Sequence, residues 1–205
     1  MDQLETEVKF FIEDPPAMRG RIRHAGGALV GARALERNLC FDDDRGSFRQ
    51  RSSVLRLRTD GQTTLTLKTP ADQDDDQFKV MQELEVTVSD APTMEKMLLA
   101  LGYHRAQVYE KWRETFRLDG ALLCLDAMPF GDFLEIEGPR EAIVSLSRQL
   151  GLKWENRILR PYLKLFEKIK QDRRLPFADI TFDNFRGLGL DARTLRPLFE
   201  SDRRT

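Results

Sequence analysis

The chain has 205 residues, of which 40% are hydrophobic and 33% are charged, so we expect one domain with a sizeable core. The 33 basic and 34 acidic residues leave a formal net charge of -1, which excludes a strong overall attraction to nucleic acid or membrane surfaces. No apolar stretch approaches the roughly 20 residues that a membrane-spanning helix needs, and no leader pattern precedes Leu4. We therefore expect a cytoplasmic protein with no nucleic-acid or membrane partner.

The first predicted element is a strand at residues 4–12, where apolar and charged side chains alternate. The pair Pro15-Pro16 then opens a helix that ends near Gly26, and a second strand is expected at 32–41. The clearest local signal is a hairpin at 54–68, in which two alternating runs flank the turn Asp60-Gly61. The acidic segment 72–77 is typical of a solvated loop.

The rest of the chain continues this mixture of strands and a few helices. Its predicted elements are strands at 79–88, 108–118, 121–128 and 132–138, and helices at 93–101, 139–150 and 159–170. About eight strands, mostly joined as hairpins, predict an α+β protein built as an antiparallel barrel with helices packed outside it or across one end. Residues 1–170 would form this domain, and 171–205 an irregular C-terminal extension packed on it.

Cysteine and histidine are too few to suggest a redox or zinc site. Cys40 and Cys124 lie far apart in apolar runs, so we expect two reduced core thiols. His24 and His104 are the two histidines. A metal in this protein would therefore be a hard ion held by oxygen.

Most of the predicted strands place charged side chains on one face and apolar side chains on the other, because residues i and i+2 share a face of a strand. The cations in this pattern are Lys9, Arg56, Arg58, Lys68, Lys111 and Arg113. The carboxylates are Glu5, Glu7, Glu83, Glu85, Asp126, Glu135 and Glu137. Two arrangements remain open from the pattern: charges coating a barrel with an apolar interior, or charges lining a tunnel whose apolar outer face is covered by helices.

The chemistry of this charge set suits a ligand inside a tunnel. Unpaired buried charge is costly, so charges gathered in a hollow must compensate one another or a ligand. Six cations, three of them forked guanidinium groups, fit a polyanion such as triphosphate. The carboxylates are explained if some of them hold Mg²⁺ or Mn²⁺, which prefer oxygen ligands and bridge to phosphates.

The segment "ETEVK" at residues 5–9 resembles the ExExK signature of the CYTH superfamily, the triphosphate tunnel metalloenzymes. The resemblance continues in order with "LRLR", "LTLK", "ELEV", "EKWRETF", "LDAMPFGDFLEIEG" and "RPYLKLF", and covers residues 4–167. It implies an eight-stranded antiparallel closed β-barrel with its charges inward and helices packed outside. The superfamily includes class IV adenylyl cyclases, thiamine triphosphatases and inorganic triphosphatases.

The resemblance also implies roles for individual residues. The substrate-binding set is Lys9, Arg56, Arg58, Lys68, Lys111 and Arg113, with Glu83 and Glu85 helping to bind or orient. The metal set for Mg²⁺ or Mn²⁺ is Glu5, Glu7, Asp126, Glu135 and Glu137, and the catalytic set is Glu5, Glu7, Lys9 and Glu137. Two residues depart from the family pattern at the end of the site that would hold the triphosphate. Met81 stands where many relatives carry arginine, and Pro161 stands where many carry serine. Asn38 is open between a polar strand residue and a site residue, and Arg160 and Lys164 are interpreted as exposed helix charges.

The favoured hypothesis is a metal-dependent triphosphatase acting on a small-molecule triphosphate: tripolyphosphate, thiamine triphosphate or ATP. One alternative is a class IV adenylyl cyclase that converts ATP to cyclic AMP and pyrophosphate. Another is a protein that binds polyphosphate or nucleotides without turnover. A homodimer is left open by the sequence.

Overall fold

The computed structural model describes residues 3–71 and 75–200, and these residues form eight strands and seven helices. The strands are β1 Gln3–Ile12, β2 Ala28–Asp42, β3 Val54–Thr59, β4 Thr63–Pro70, β5 Lys79–Val88, β6 His104–Leu118, β7 Ala121–Met128 and β8 Gly131–Glu137. The helices are α1 Pro15–His24, α2 Ser47–Gln50, α3 Ala91–Ala100, α4 Arg140–Gln149, α5 Tyr162–Arg173, α6 Phe182–Phe185 and α7 Arg196–Glu200. Short 3-10 segments lie at Trp154–Asn156 and Ala192–Leu195.

The eight strands close into one antiparallel barrel in the order β1-β5-β4-β3-β2-β6-β7-β8. The predicted fold class, a closed eight-stranded barrel with helices around it, is confirmed. Hairpin β3–β4 lies where it was expected, but its turn has three residues, 60–62, between the paired Thr59 and Thr63 instead of the two residues Asp60-Gly61. Hairpin β6–β7 turns at Asp119 and Gly120. In the β6–β7 turn, Asp119 and Gly120 have positive φ angles of 48° and 77°. A two-residue turn needs positive φ at both residues if its twist is to match that of the strands.

Strand β2 starts at Ala28, four residues before the predicted start at residue 32, because irregular pairing hides its first part from the sequence pattern. Its register with β6 shifts between Leu29 and Gly31 and again between Gly31 and Ala34. Such bulges break strict alternation. A Cβ at Gly31 would lie 3.2 Å from the Cβ of Thr115, so glycine allows the two strands to approach closely there.

Helix α5 is shifted relative to the predicted helix at 159–170. It begins at Tyr162, directly after Pro161, and runs to Arg173. A residue that precedes proline is disfavoured in helical conformation, so Arg160 cannot easily extend the helix backwards. The helix ends where Arg174 adopts a left-handed φ of 53°.

The main hydrophobic core lies outside the barrel wall, between the strands and the helices. Val8, Phe10, Phe116, Leu123 and Ile136 of the barrel pack with residues of α1 and α4, and all five are at most 2% exposed. A second cluster, built on Leu55, Leu57 and Phe41, packs under Leu98 of α3. Because the apolar strand faces point outward and are covered by helices, the opposite faces must line the interior. This decides between the two arrangements that the pattern had left open.

One end of the barrel is closed by α5 and the segment that follows it. Tyr162, Phe166, Ile180, Leu195 and Phe199 join Phe130 and Phe133 of the β7–β8 region in one buried cluster. The backbone of Ile180 also bonds to β6, since Glu110 N donates to Ile180 O at 2.9 Å and Ile180 N donates to Val108 O at 2.8 Å. Residues beyond α5 therefore pack directly on the barrel, while the proposed domain division at residue 170 stays a prediction.

Three smaller expectations concern membranes, thiols and the acidic loop. None of the helices within residues 3–71 and 75–200 has the length and apolar character to cross a membrane. Cys40 and Cys124 are unpaired and buried, as expected for reduced thiols. The acidic segment 72–77 falls partly on residues 72–74, which lie outside the described residues.

Candidate active site

The barrel encloses a cavity of about 510 Å³ whose wall is dominated by charged side chains. The predicted site residues that line it are Glu5, Glu7, Lys9, Arg56, Arg58, Lys68, Glu83, Glu85, Lys111, Arg113, Glu135 and Glu137. The alternation read from the sequence places all of them on the inward face of their strands. Burial increases toward the closed end, where Lys9 and Lys111 are 1% and 3% exposed, so the cavity deepens toward α5.

Strands β2 and β3 form a wall of buried polar groups that protein partners satisfy only in part. The Nε of Arg56 is buried and donates to no group among the described residues, although Arg56 donates through Nη1 to the Tyr109 hydroxyl at 2.9 Å. The Nε of Arg58 is also buried and makes no well-aligned hydrogen bond within the described residues, but it lies 3.2 Å from Oδ2 of Asp60. Asn38 lies opposite Arg58 in the β2–β3 register and is fully buried, and its two side-chain amide atoms have no hydrogen-bond partner among the described residues, but it does not line the cavity. A buried donor without a partner costs about 1–3 kcal/mol, which an anionic ligand could recover.

Arg113 and Lys111 on β6 are held in place by Asp126. Both oxygens of Asp126 accept hydrogen bonds from Arg113 at 2.6 Å, and Oδ2 also accepts from Lys111 at 2.9 Å and from the Tyr162 hydroxyl at 3.0 Å. Asp126 is 2% exposed and does not line the cavity. The structure therefore gives Asp126 the contacts of a group that orients two cations, and its role as a metal ligand stays a prediction.

The carboxylates of β1 and β8 meet on the opposite side of the barrel. Glu7 lies directly across from Glu137 in the β1–β8 register, and Glu5 lies two residues along the same face. Like charges at directly opposed positions destabilise a sheet. Burial, followed by the charges of Glu5 and Glu7, raises the pKa of Glu137 to about 7. Positive charge is therefore in short supply at Glu137, whereas Glu5 and Glu7 pair with lysines.

Glu7 itself is strongly ionised because two ammonium groups surround it. Burial alone would raise its pKa, but Lys79 and Lys9 outweigh burial and lower the pKa to about 2. Glu36 on β2 behaves in the same way: burial opposes ionisation, while Lys111 and Arg113 lower its pKa to about 2. Both groups carry full negative charge at neutral pH.

The carboxylates Glu5, Glu7 and Glu137 suit a hard divalent cation. They supply oxygen donors, which Mg²⁺ and Mn²⁺ prefer. Burial, followed by the charges of Glu5 and Glu7, raises the pKa of Glu137, and a cation bound beside it would favour its ionised form. Within the described part of the chain, no three His, Cys, Asp or Glu side chains are already arranged around a common metal position. The donor set fits a metal that binds with water or substrate oxygens in its shell, as Mg²⁺ usually does.

Several residues of the cavity wall were not identified from the sequence as site residues: Glu36, Lys79, Tyr109 and Tyr162. Lys79 lies two residues before Met81 on the inward face of β5, so its place could have been found by extending the alternation by one step. The same step backwards from Asn38 reaches Glu36. Tyr162 comes from α5, and no strand pattern could indicate that a helix supplies a hydroxyl to Asp126.

The two departures from the family pattern have different surroundings. Met81 is 9% exposed and does not line the cavity. Pro161 lines the cavity together with Leu163, at the start of α5. Lys164 does not line it and pairs with Glu167 at 3.0 Å, in line with an exposed helix charge.

Replacing Glu137 with glutamine should stabilise the metal-free protein at pH 8 and leave its stability unchanged near pH 4.5. The pKa of Glu137 is raised from 4.5 to about 7, so between these pH values the folded state keeps a proton that the unfolded state has lost. Stability therefore falls as pH rises through this window and stays lower above it. Glutamine removes this loss, and we expect a Tm about 2–6 °C higher than wild type at pH 8 in EDTA.

The control for this experiment is Glu155→Gln, which changes an exposed carboxylate outside the cavity. Thermal denaturation of the three proteins from pH 4.5 to 8 gives the comparison. A Glu137→Gln curve that runs parallel to wild type across this range would contradict the assigned carboxylate cluster.

A closed antiparallel barrel with a charged interior, cations on β3 and β6 and carboxylates on β1 and β8, defines the class of triphosphate tunnel folds. The family model for the CYTH domain matches residues 3–162, and this chain belongs to the CYTH family. No curated protein matches the sequence significantly.

Solved structures with the same fold come from distant relatives. A Vibrio parahaemolyticus protein named as a "putative adenylate cyclase" is 19% identical, with a TM-score of 0.72 over 82% of this chain and 99% of that chain. A Pyrococcus horikoshii protein is 24% identical, with a TM-score of 0.67 over 80% of this chain and 99% of that one. A Hippeastrum protein, named as a "putative adenylyl cyclase" and described as having a dominant triphosphatase activity, is 18% identical, with a TM-score of 0.57 over 82% and 95%. At these identities the likeness shows a shared fold.

Proposed function

We propose that this protein is a divalent-metal-dependent triphosphatase that hydrolyses a small-molecule triphosphate in its barrel cavity. The observation that carries the proposal is the pair Arg56 and Arg58, two guanidinium groups that line the cavity; the buried Nε of Arg56 has no hydrogen-bond partner among the described residues. Guanidinium groups bind phosphate oxygens through several parallel hydrogen bonds. A chain of phosphates is therefore the ligand that best satisfies this wall.

The other cations extend the same binding surface. Lys111 and Arg113, fixed by Asp126, face the cavity beside the β2–β3 wall, and Lys68 enters from β4. Together these groups would bind the phosphates in one orientation and stabilise the negative charge that develops on the bridging oxygen as it leaves.

The carboxylates on β1 and β8 complete the proposed reaction. Glu5, Glu7 and Glu137 would hold Mg²⁺ or Mn²⁺, which supplies positive charge to the phosphate oxygens when bound. Glu137 lines the cavity directly across from Glu7, so its carboxylate would orient a water molecule and accept its proton. The water oxygen bonds to the terminal phosphorus, the bond from that phosphorus to the bridging oxygen breaks, and orthophosphate leaves together with the shortened phosphate chain.

Hydrolysis is favoured over cyclisation by the character of the wall. The aromatic rings that line the cavity from the described residues are Tyr109 and Tyr162, and their hydroxyls are engaged by Arg56 and Asp126. A purine would gain from a free stacking face. The Tyr162 ring instead carries the ammonium groups of Lys9 and Lys111, at 5.2 and 5.5 Å from its centroid. The proposal includes a cytoplasmic location, which the two unpaired thiols favour.

The deciding assay incubates the purified protein with Mg²⁺ or Mn²⁺ and with tripolyphosphate, thiamine triphosphate or ATP in turn. We expect orthophosphate from tripolyphosphate or thiamine triphosphate, and no turnover in EDTA. Cyclic AMP and pyrophosphate from ATP would instead establish the cyclase alternative. Tight binding without any product under either metal would establish the non-catalytic alternative.

A further inference from the structure

Lys79, which is outside the motifs that define the family resemblance, makes a close contact with a carboxylate of the acidic wall. Its Nζ lies 2.7 Å from Oε1 of Glu7, and the two residues are directly opposite in the β1–β5 register. The same oxygen is 3.0 Å from Nζ of Lys9. Two ammonium groups therefore share one carboxylate oxygen.

The two lysines are held very differently. Lys9 is 1% exposed, also pairs with Glu135 at 3.3 Å, and lies over the Tyr162 ring at 5.2 Å. The Lys79 side chain is 18% exposed and lines the cavity, and among the described residues its ion-pair partner is Glu7. Contacts with three groups therefore fix Lys9. Lys79 has one ion-pair partner among the described residues, and its flexible four-carbon side chain allows the ammonium to move to another partner.

The position of Lys79 matches the place where positive charge is needed. Glu7 lies between Lys79 on β5 and Glu137 on β8, so the ammonium compensates the same carboxylates that suit a divalent cation. A divalent ion at these carboxylates would repel the ammonium and compete with it for Glu7. Met81, two residues further along β5, is uncharged and does not line the cavity. Within the described residues, Lys79 is the cation that β5 contributes to the cavity wall.

We propose that Lys79 is a substrate-binding cation with two alternative partners. In the metal-free protein it is the counter-ion of Glu7, and when a divalent metal binds the carboxylates it turns to the phosphates. This inference rests on the proposed function, since it assumes that the cavity takes both a metal and a triphosphate. It predicts that removing the ammonium strengthens metal binding and weakens phosphate binding.

The test compares Lys79→Gln with wild type in two calorimetric titrations. The first adds Mn²⁺ to the protein alone, and we expect the variant to bind about threefold more tightly or better, because a competing charge is gone. The second adds diimidotriphosphate, a tripolyphosphate analogue whose nitrogen bridges resist hydrolysis, at saturating Mn²⁺. Here we expect the variant to bind about fivefold more weakly or worse.

Two further variants separate this role from a structural one. Lys79→Arg keeps the charge and should keep the affinity for the analogue within about twofold of wild type. Lys96→Gln removes an exposed lysine on α3 and should change neither titration. A Lys79→Gln protein that changes only in Tm, with both affinities within about twofold of wild type, would overturn the inference.

The failure of this inference differs from failure of the proposed function. If wild type binds the analogue and Lys79→Gln binds it equally well, the role of Lys79 is wrong and the triphosphate site stands. If wild type does not bind the analogue with or without Mn²⁺, the proposed function is wrong, and the role of Lys79 is overturned with it.

Discussion

Replacing Arg58 with alanine should lower kcat/KM for the triphosphate substrate by about tenfold or more, equivalent to about 1.4 kcal/mol of lost transition-state stabilisation. The reason is that the guanidinium group of Arg58 lines the cavity, where its donors can reach phosphate oxygens. Its nearest carboxylates are Asp60 at 3.2 Å and Glu85 at 3.9 Å. These contacts lie toward the solvent-accessible end of the wall, and their loss should change the free energy of unfolding by less than about 1 kcal/mol.

The matched control is Arg45→Ala, which removes an exposed arginine outside the cavity wall. Steady-state kinetics and urea denaturation should be measured on both variants. We expect the activity of Arg45→Ala to stay at the wild-type level and both proteins to unfold like wild type. Unchanged kinetics in Arg58→Ala would reject the β2–β3 wall as the phosphate-binding surface.

Replacing Lys9 with methionine should destabilise the fold as well as abolish most of the activity. The ammonium of Lys9 is buried between Glu7 at 3.0 Å and Glu135 at 3.3 Å, and burial alone would lower its pKa, yet these carboxylates raise it above its ordinary value. Its removal leaves two buried carboxylates with less compensation. Breaking a buried pair in this way costs about 3–5 kcal/mol, which corresponds to a fall in Tm of about 6–20 °C in a chain of this size.

A second substitution checks the cause of this loss. Adding Glu135→Gln to Lys9→Met removes one of the uncompensated charges and should recover part of the lost stability. Urea denaturation at pH 7.5 of the single and double variants gives the comparison. A Lys9→Met protein within about 1 kcal/mol of wild type would contradict the structural role that the ion pairs indicate.

The sequence predicted the barrel and most of the cavity wall because alternation is a local property of a strand. Once Glu5, Glu7 and Lys9 share a face, a closed barrel can place that face only inside or outside. The outward apolar face, covered by α1, α3 and α4, then decides the direction. The same reasoning could not locate the start of β2, where two bulges interrupt the pattern before Ala34.

Contacts between distant strands required the closed barrel itself. The pairing of Glu7 with Lys79 depends on β5 lying beside β1, and the opposition of Glu7 and Glu137 depends on β8 closing the barrel on the other side. Likewise, the hydroxyl of Tyr162 reaches Asp126 because α5 packs across the barrel end. Each of these contacts changes the charge balance of a site residue, and none is encoded by spacing along one segment.

The most direct test of the charged cavity is a calorimetric titration of tripolyphosphate into the purified protein at low and moderate salt, with and without Mg²⁺. We predict one molecule bound per chain, with an affinity that falls as salt rises and that is lost in the double variant Arg56→Ala/Arg58→Ala. Absence of binding by wild type under all of these conditions, or equal binding by the double variant, would contradict a triphosphate site inside the barrel.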